Sequence, residues 1–149
     1  MTELKKVEMH TDGSCIGNPG PGGWGAILTM GSAEREMSGG EKHTTNNRME
    51  MMAIISGLSA LKERCDVTVV SDSKYVIDNI RGVHIWKARG WRTTAKKPVK
   101  NQDLWERLDE LCTHQQVTFQ WVKGHNGHPG NERADVLANN AAQEAARAC

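Results

Sequence analysis

Cysteine pairs, export signals and membrane-length apolar runs are all missing from this sequence of 149 residues. Its four cysteines form no Cys-x-x-Cys pair and no regular framework, which argues against a zinc site and against a disulfide-stabilised secreted domain; they are Cys15, Cys65, Cys112 and Cys149. The first residues lack the apolar core of a secretion signal, and no apolar run is long enough to span a membrane. We therefore expect a cytoplasmic protein with reduced thiols and no membrane contact.

Internal repeats, low-complexity tracts and a strong net charge are missing as well. A chain of this length fits one domain, residues 1–149, which buries roughly two thirds of its unfolded surface without help from disulfides or metals. The formal net charge is only +1, so the composition as a whole gives no indication of a nucleic-acid partner. Any such indication has to come from the distribution of charge along the chain.

Acidic residues are missing from one internal stretch, between Asp78 and Asp103. Seven cations lie there, at Arg81, Lys87, Arg89, Arg92, Lys96, Lys97 and Lys100. They form either a solvated surface or a set of charges that repel one another and require an external anion. Trp86 and Trp91 lie among them, so we consider a nucleic-acid backbone as the anion, with the indole rings stacking on sugar or base. We call residues 81–100 the basic segment.

Hydrophobic periodicity predicts an α/β fold. Strands are expected at 5–11, 24–30, 33–38, 65–71 and 117–122. Helices are expected from 44 or 45 to about 62, at 73–80, from 101 or 102 onward and at 131–146, with partial helix around 84–89. The order β-β-β-α-β-α-α-β-α predicts a single five-stranded mixed sheet with helices packed on it.

Residues 11–25 are rich in glycine and proline, a composition that ends regular structure and lets backbone approach another group closely. Taken alone, they predict an irregular connection between the first two strands. They are not a nucleotide-binding P-loop, because no Gly-Lys-Ser/Thr follows at the required spacing.

Four acids are expected to meet at one edge of the sheet. Asp12 and Asp72 end strands that a right-handed crossover makes parallel neighbours, and Glu50 and Asp135 lie near the starts of two helices. Singly, a strand-end Asp is often a turn former and a helix-start acid a dipole partner. Together they would repel one another without cations, and carboxylates are preferred ligands of Mg²⁺ or Mn²⁺. Two such ions can drive phosphodiester cleavage.

Seven motifs in order resemble the bacterial ribonuclease HI family over nearly the whole chain. They are Thr-Asp-Gly-Ser at 11–14, Gly-Asn-Pro-Gly-Pro-Gly-Gly at 17–23, Thr-Thr-Asn-Asn-Arg-Met-Glu at 44–50, Ser-Asp-Ser at 71–73, Lys-Pro-Val-Lys-Asn at 97–101, Trp-Val-Lys-Gly-His at 121–125 and Asn-Glu-Arg-Ala-Asp at 131–135. The resemblance implies the RNase H-like fold and a monomeric endonuclease. Such an enzyme hydrolyses the RNA strand of RNA·DNA hybrids and leaves 3′-hydroxyl and 5′-phosphate ends.

The resemblance also implies the catalytic residues. Asp12, Glu50, Asp72 and Asp135 match the family's ligands for two Mg²⁺ ions, with Mn²⁺ as an alternative, and Glu50 would also contact a ribose 2′-hydroxyl. His125 matches the family's loop histidine, which could shuttle a proton or help product leave. The neighbouring His128 is an equal candidate by position, and the Lys-Gly-His motif favours His125.

Substrate contacts follow from the same resemblance. For the RNA strand, the matching residues are Cys15, Asn18, Asn46 and Asn47, whose small side chains and amides can read the 2′-hydroxyl in the minor groove. For the DNA strand, they are Thr45 and Asn101, which match a phosphate pocket, and Trp86, Lys87, Arg89, Trp91, Lys96 and Lys97 of the basic segment, which matches a basic protrusion. The chain departs from the family by one residue fewer at 81–83 and by His43 beside the phosphate pocket.

Two alternatives belong to other classes of function. A nuclease or recombinase of the same fold would act on duplex DNA and would not need Cys15 or the Thr45-Asn46-Asn47 group. A catalytically inactive hybrid-binding module would keep the basic segment and lose an acid, so the complete set of four acids argues against it.

Overall fold

In the computed structural model, which describes residues 3–124 and 127–148, the chain forms five strands and five helices. The strands are β1 (Lys5–Cys15), β2 (Gly20–Met30), β3 (Ala33–Thr44), β4 (Cys65–Ser71) and β5 (Gln116–Trp121). The helices are α1 (Asn46–Ser59), α2 (Lys74–Ile80), α3 (Val83–Ala88), α4 (Gln102–His114) and α5 (Pro129–Arg147). Among these described residues, no helix is both long and apolar enough to cross a membrane.

The strands form one mixed sheet in the order β3-β2-β1-β4-β5. The pairs β1–β2 and β2–β3 are antiparallel, whereas β1–β4 and β4–β5 are parallel. The predicted α/β fold with a five-stranded mixed sheet is therefore confirmed. The parallel pairing of β1 with β4 ends at Thr11 and Ser71, so Asp12 and Asp72 are the next residues on neighbouring strands.

Helices cover both faces of the sheet. On one face, α1 and α4 pack over the main apolar core, which includes Met9, Ile54, Val67, Trp105 and Leu108. On the other face, α5 crosses β1, β2 and β3 and presents its buried alanines, Ala134, Ala138, Ala141 and Ala142. The sheet is therefore the middle layer. Residues from helices on both faces can reach the edge at which the parallel strands β1 and β4 end.

The glycine-rich stretch is mostly strand, and the prediction of an irregular connection was wrong for most of it. β1 continues through Asp12 to Cys15, and β2 begins at Gly20, so only residues 16–19 connect the two strands. A side chain at Gly23 or Gly25 would collide with the backbone of α5, which approaches within 2.5 Å of the Cβ position at Gly23 and 2.6 Å at Gly25. These glycines therefore allow a helix to lie flat on the sheet rather than interrupting the strands.

The remaining boundaries follow from pairing and capping. β3 extends to Thr44 instead of ending at 38, because the longer β2 supplies pairing partners as far as Gly20. β4 has the predicted bounds, 65–71. α1 ends at Ser59, three residues earlier than expected, and α5 begins two residues earlier because His128 caps it and Pro129 is tolerated in its first turn. The helical part of the basic segment is α3.

Candidate active site

Three carboxylates form a tight cluster at the edge of the sheet. Asp12, Glu50 and Asp72 each offer an oxygen, and these oxygens all lie within 4.8 Å of one another. Asp12 is only 4% exposed and Glu50 only 5%, while Asp72 is half-buried. The convergence expected from the strand ends and from the first helix is therefore present for these three residues.

Close packing at Gly13 brings Asp12 and Glu50 together. A Cβ atom at Gly13 would lie 2.6 Å from the carbonyl carbon of Met49 and would also overlap the backbone nitrogen of Glu50. The first turn of α1 therefore rests directly on the backbone of β1, beside Asp12. Thr45 caps this helix by accepting a hydrogen bond from the Arg48 backbone N–H at 3.3 Å. The cap and the contact at Gly13 together hold the helical turn that carries Glu50.

Asp72 is held by its backbone and crowded by a neighbouring loop. Its carbonyl oxygen accepts a hydrogen bond from Trp121 Nε1 at 3.2 Å, which links the ends of β4 and β5. A Cβ atom at Gly124 would lie 2.6 Å from Asp72 Oδ2, so the chain passes against this carboxylate one residue before His125. His125 itself lies outside the described residues, and its predicted role stays a prediction.

Asp135 reaches the cluster from α5. Its carboxyl group lines the same cavity as Asp12 and lies near enough to raise the pKa of the Asp12 carboxyl group, although it lies outside the group of three that is closest together. Asn139, one helical turn later, donates a hydrogen bond from Nδ2 to Asp135 Oδ2 at 3.2 Å. Asn139 in turn accepts a hydrogen bond from the Ser14 hydroxyl on β1 at 2.6 Å. All four predicted acids therefore meet, and the fourth is held by residues that the sequence did not single out.

Burial makes this cluster unfavourable as a set of free charges. Desolvation raises the pKa of Asp12, and the neighbouring Glu50, Asp135 and Asp72 carboxylates raise it further. Desolvation likewise raises the pKa of Glu50, and the charges of Asp72 and Asp135 add to this effect. Because Asp12 and Glu50 interact directly, we treat them as one pair that holds a proton at neutral pH in the absence of cations.

The cluster fits divalent cations. Glu50 Oε2 is buried and has no hydrogen-bond partner within the described ranges, which is costly unless another group uses this oxygen. Carboxylate oxygens gathered at one point are the donors that Mg²⁺ and Mn²⁺ prefer. A cation would satisfy Glu50 Oε2 and offset the repulsion among the carboxylates.

An open cavity of about 500 Å³ surrounds the carboxylates. Three of the predicted RNA contacts, Cys15, Asn46 and Asn47, lie in its wall. The fourth, Asn18, is not in the wall; its Oδ1 accepts a hydrogen bond from the Asn46 backbone N–H at 2.9 Å and so holds the start of α1. The wall also contains polar residues that sequence reasoning missed, namely Ser14, Ser73, Tyr75 and Asn139.

The two predicted phosphate-pocket residues cap adjacent helices. Thr45 caps α1, and Asn101 precedes α4 with a left-handed backbone, φ 61°. Arg48 Nη1 donates to Asn101 Oδ1 at 3.2 Å, and Arg48 also forms a bidentate ion pair with Asp103 at 2.7 and 3.0 Å. Asn101 Nδ2 donates to the Tyr75 hydroxyl at 3.1 Å. Arg48 was missed because its partners are 53 and 55 residues away in sequence.

The basic segment is more integrated into the fold than its sequence indicates. Lys87 Nζ lies 3.1 Å from Asp109 Oδ2 of α4, so this cation has a counter-charge from outside the segment. Trp86 packs edge-on against Trp105 with ring centroids 5.6 Å apart, and Trp91 packs against the same core. The expectation of freely available indole rings needs correction, because both rings are already partly buried. Arg89, Lys96 and Lys97 are exposed.

A mixed sheet with an acidic cluster at the carboxyl edge of its parallel strands defines a class, an α/β protein whose site suits divalent cations. Comparison with known proteins gives the family. The family model described as RNase H matches residues 4–143, and the chain therefore belongs to the RNase H family.

Bacterial relatives match along most of their length. Ribonuclease H of Erythrobacter litoralis is 61% identical over 140 residues, which are 93% of this chain and 97% of that protein. Ribonuclease H of Bradyrhizobium diazoefficiens is 60% identical over 139 residues, 93% of this chain and 90% of that protein.

Solved structures agree with this assignment. LC9-RNase H1, a type 1 RNase H with the type 2 active-site motif, has a TM-score of 0.86 at 31% identity, covering 97% of this chain and 75% of that one. LC11-RNase H1, solved in complex with an RNA/DNA hybrid, has a TM-score of 0.73 at 26% identity, covering 93% of this chain and 98% of that one.

The raised pKa values of Asp12 and Glu50 predict how the stability of the cation-free protein depends on pH. The folded state binds a proton more tightly than the unfolded chain, so this stabilisation is complete below about pH 4 and is lost as pH rises through the raised pKa values. In EDTA, Asp12→Asn should therefore melt above wild type, and the gap should widen from pH 5 to pH 9. Each kcal/mol of difference in the free energy of unfolding would appear as a difference of about 2–4 °C in Tm.

Thermal melts at several pH values test this expectation. Glu144→Gln, which removes an exposed carboxylate near the end of α5, is the matched control and should follow wild type. Adding Mg²⁺ should narrow the gap between Asp12→Asn and wild type. Equal melting temperatures of Asp12→Asn and wild type in EDTA across this range would contradict the account of the cluster.

Proposed function

We propose that this protein is an endoribonuclease that hydrolyses the RNA strand of RNA·DNA hybrids and leaves 3′-hydroxyl and 5′-phosphate ends. The observation that carries the proposal is the buried cluster of Asp12, Glu50 and Asp72 in a cavity that also contains Asn46 and Asn47. Relatives named ribonuclease H at about 60% identity and the hybrid complex of LC11-RNase H1 support the same activity.

The family is metal-dependent, and the four carboxylates are the residues that would hold the ions. Asp12 and Asp72 approach from adjacent strands, Glu50 from α1 and Asp135 from α5. Mg²⁺ is the proposed ion, with Mn²⁺ as an alternative that the same oxygen donors accept. When bound, two such cations supply an activated water and neutralise the charge that develops on the leaving 3′ oxygen. The protein contributes a frame of largely buried carboxylates that holds the ligands before substrate arrives.

Recognition of RNA depends on groups that can both donate to and accept from a 2′-hydroxyl. Asn46 and Asn47 offer amides in the cavity wall, and Cys15 offers a small side chain whose thiol lies 3.4 Å from the Thr44 carbonyl oxygen. Asn18 supports this surface indirectly through its bond to the Asn46 backbone. Glu50 would contact a 2′-hydroxyl as well as a cation.

The DNA strand would lie along a second surface of the same single domain, residues 1–149. Thr45 and Asn101 would bind one of its phosphates at the two helix caps. The basic segment, residues 81–100, would act as a protrusion that grips the strand with Lys87, Arg89, Lys96 and Lys97 and with the parts of Trp86 and Trp91 that stay exposed. Because both surfaces belong to one domain, a single copy of the chain would be sufficient for the reaction, and we propose a cytoplasmic monomer.

His125 is the proposed proton carrier. An imidazole side chain can take up and release a proton near neutral pH, and this one could protonate the leaving group or assist product release. The close passage of Gly124 past Asp72 Oδ2 supports this role, because His125 is the next residue in the chain. His128 has a structural role instead, since its Nδ1 accepts a hydrogen bond from the Asn131 N–H at 3.3 Å.

A cleavage assay with three labelled duplexes tests the proposed activity. RNA·DNA hybrid, RNA duplex and DNA duplex are incubated with the protein, with Mg²⁺ or with EDTA, and products are resolved by gel. We expect internal cuts in the RNA strand of the hybrid only, and only with Mg²⁺. Equal cleavage of DNA duplex would favour the DNA nuclease or recombinase, and hybrid binding without cleavage would favour an inactive binding module. Asp12→Asn is the control for contaminating nucleases.

The basic segment gives a separate prediction about binding. Neutralising the exposed cations Arg89, Lys96 and Lys97 should weaken hybrid binding in Ca²⁺ and reduce the salt dependence of binding by about one unit of slope for each phosphate that is no longer neutralised. Lys87→Ala alone should have a smaller effect, because Asp109 already balances its charge. Binding titrations between about 50 and 200 mM salt would measure both effects. A salt slope unchanged in the triple variant would mean that the segment is only a solvated surface.

A further inference from the structure

A chain of side-chain hydrogen bonds leads from β1 to the fourth carboxylate. The Ser14 hydroxyl donates to Asn139 Oδ1 at 2.6 Å, and Asn139 Nδ2 donates to Asp135 Oδ2 at 3.2 Å. Asn139 is half-buried and contributes to the wall of the cavity. Both polar atoms of the Asn139 amide therefore form hydrogen bonds. The carbonyl oxygen accepts from the Ser14 hydroxyl, and the amide nitrogen donates to the Asp135 carboxylate.

The two elements meet in two parallel contacts. Asp12 and Ser14 are two residues apart on β1 and point to the same side of the strand, while Asp135 and Asn139 are one turn apart on α5. Asp12 faces Asp135, and Ser14 faces Asn139. The first contact joins two acids that repel when ionised, and the second joins two neutral groups through a short hydrogen bond.

Elsewhere α5 is held on the sheet by close packing and by the ion pairs of Arg133 with Glu34 and Glu36 of β3, at 2.7 to 2.8 Å. The helix lies on Gly23 and Gly25 through Ala134, Ala138 and Ala142, which pack closely but have no polar atoms in their side chains. Repulsion between Asp12 and Asp135 would shift this part of the helix away from β1, a strand that the Arg133 ion pairs do not reach. The Ser14–Asn139 hydrogen bond opposes that shift, and the Asn139–Asp135 bond limits rotation of the carboxylate by holding one of its oxygens.

We infer that Asn139 is a positioning residue that sets the Asp135 carboxylate for the divalent cation site. The inference rests on the proposed function, because it assigns Asn139 a role in holding the ligand set of that site. It predicts that replacing Asn139 weakens cation binding, that a higher cation concentration restores activity, and that nucleic-acid binding is unaffected.

The test compares Asn139→Ala and the similarly sized Asn139→Leu with wild type and with Asn140→Ala. Asn140 is the neighbouring asparagine on the same helix and is exposed, so its replacement is a matched control. Mg²⁺ binding is measured by calorimetry without substrate, and hybrid cleavage is measured over a range of Mg²⁺ concentrations. Removing the hydrogen-bond partner of a metal ligand typically weakens metal binding, here by about tenfold. Hybrid KM at saturating Mg²⁺ should change by less than about twofold, and raised Mg²⁺ should restore turnover.

Three results would overturn the inference. Unchanged Mg²⁺ affinity with a raised hybrid KM would make Asn139 a substrate contact. A lowered Tm with unchanged Mg²⁺ affinity and unchanged KM would make it a packing residue. Wild-type behaviour of both Asn139 variants in every measurement would leave Asn139 without a role at the site.

Ser14→Ala keeps the measurement informative if the Asn139 variants do not fold. Because it removes the donor to Asn139 Oδ1 and leaves the Asp135 contact in place, we expect a smaller loss of Mg²⁺ affinity. Where Asn139→Ala does fold, the double variant Ser14→Ala/Asn139→Ala should show less than the sum of the two losses. Additive losses would contradict the linked arrangement. Calorimetry without substrate also separates this inference from the proposed activity, since a protein that cuts no hybrid would still report the effect of Asn139 on Mg²⁺.

Discussion

Repulsion among buried carboxylates is the constraint on which this structure depends. Asp12 and Glu50 are almost fully buried, and Asp72 and Asp135 stand close to them, so desolvation and like charge both act against ionisation. A folded protein tolerates such a group only if protons or cations offset the charge. The cation-free and cation-bound states should therefore differ in protonation as well as in stability.

Close backbone contacts between the helices and the sheet hold the carboxylates in place despite this repulsion. Gly13 brings α1 directly onto β1, and Gly23 and Gly25 bring α5 directly onto β2. Hydrogen bonds then fix the register at Asn139 and at the cap of α1. The same glycines therefore serve packing and the site, because the residues that let the helices lie on the sheet also bring the carboxylates together.

The sequence predicted the architecture and the four acids for a physical reason. Alternation and period report which residues are buried, and the ends of parallel strands have to meet at one edge, so Asp12 and Asp72 could be located without coordinates. It misjudged residues 12–15 and 20–23, which belong to strands, because a glycine that permits a turn and a glycine that permits close packing of a helix look the same in the sequence. Arg48, Gly124 and Asn139 were missed because their partners lie far away in sequence. Trp86 was expected to be free because nothing local indicates that Trp105 packs against it.

Proton release on cation binding tests the central claim most directly. Mg²⁺ is titrated into the substrate-free protein at pH 7 by calorimetry in buffers that differ in ionisation enthalpy. Because the Asp12–Glu50 pair holds a proton until a cation replaces it, the observed enthalpy should vary with the buffer in the direction of proton release. The variation should diminish in Asp12→Asn. An enthalpy independent of the buffer, with Mg²⁺ bound, would mean that the carboxylates are already ionised and would contradict the account.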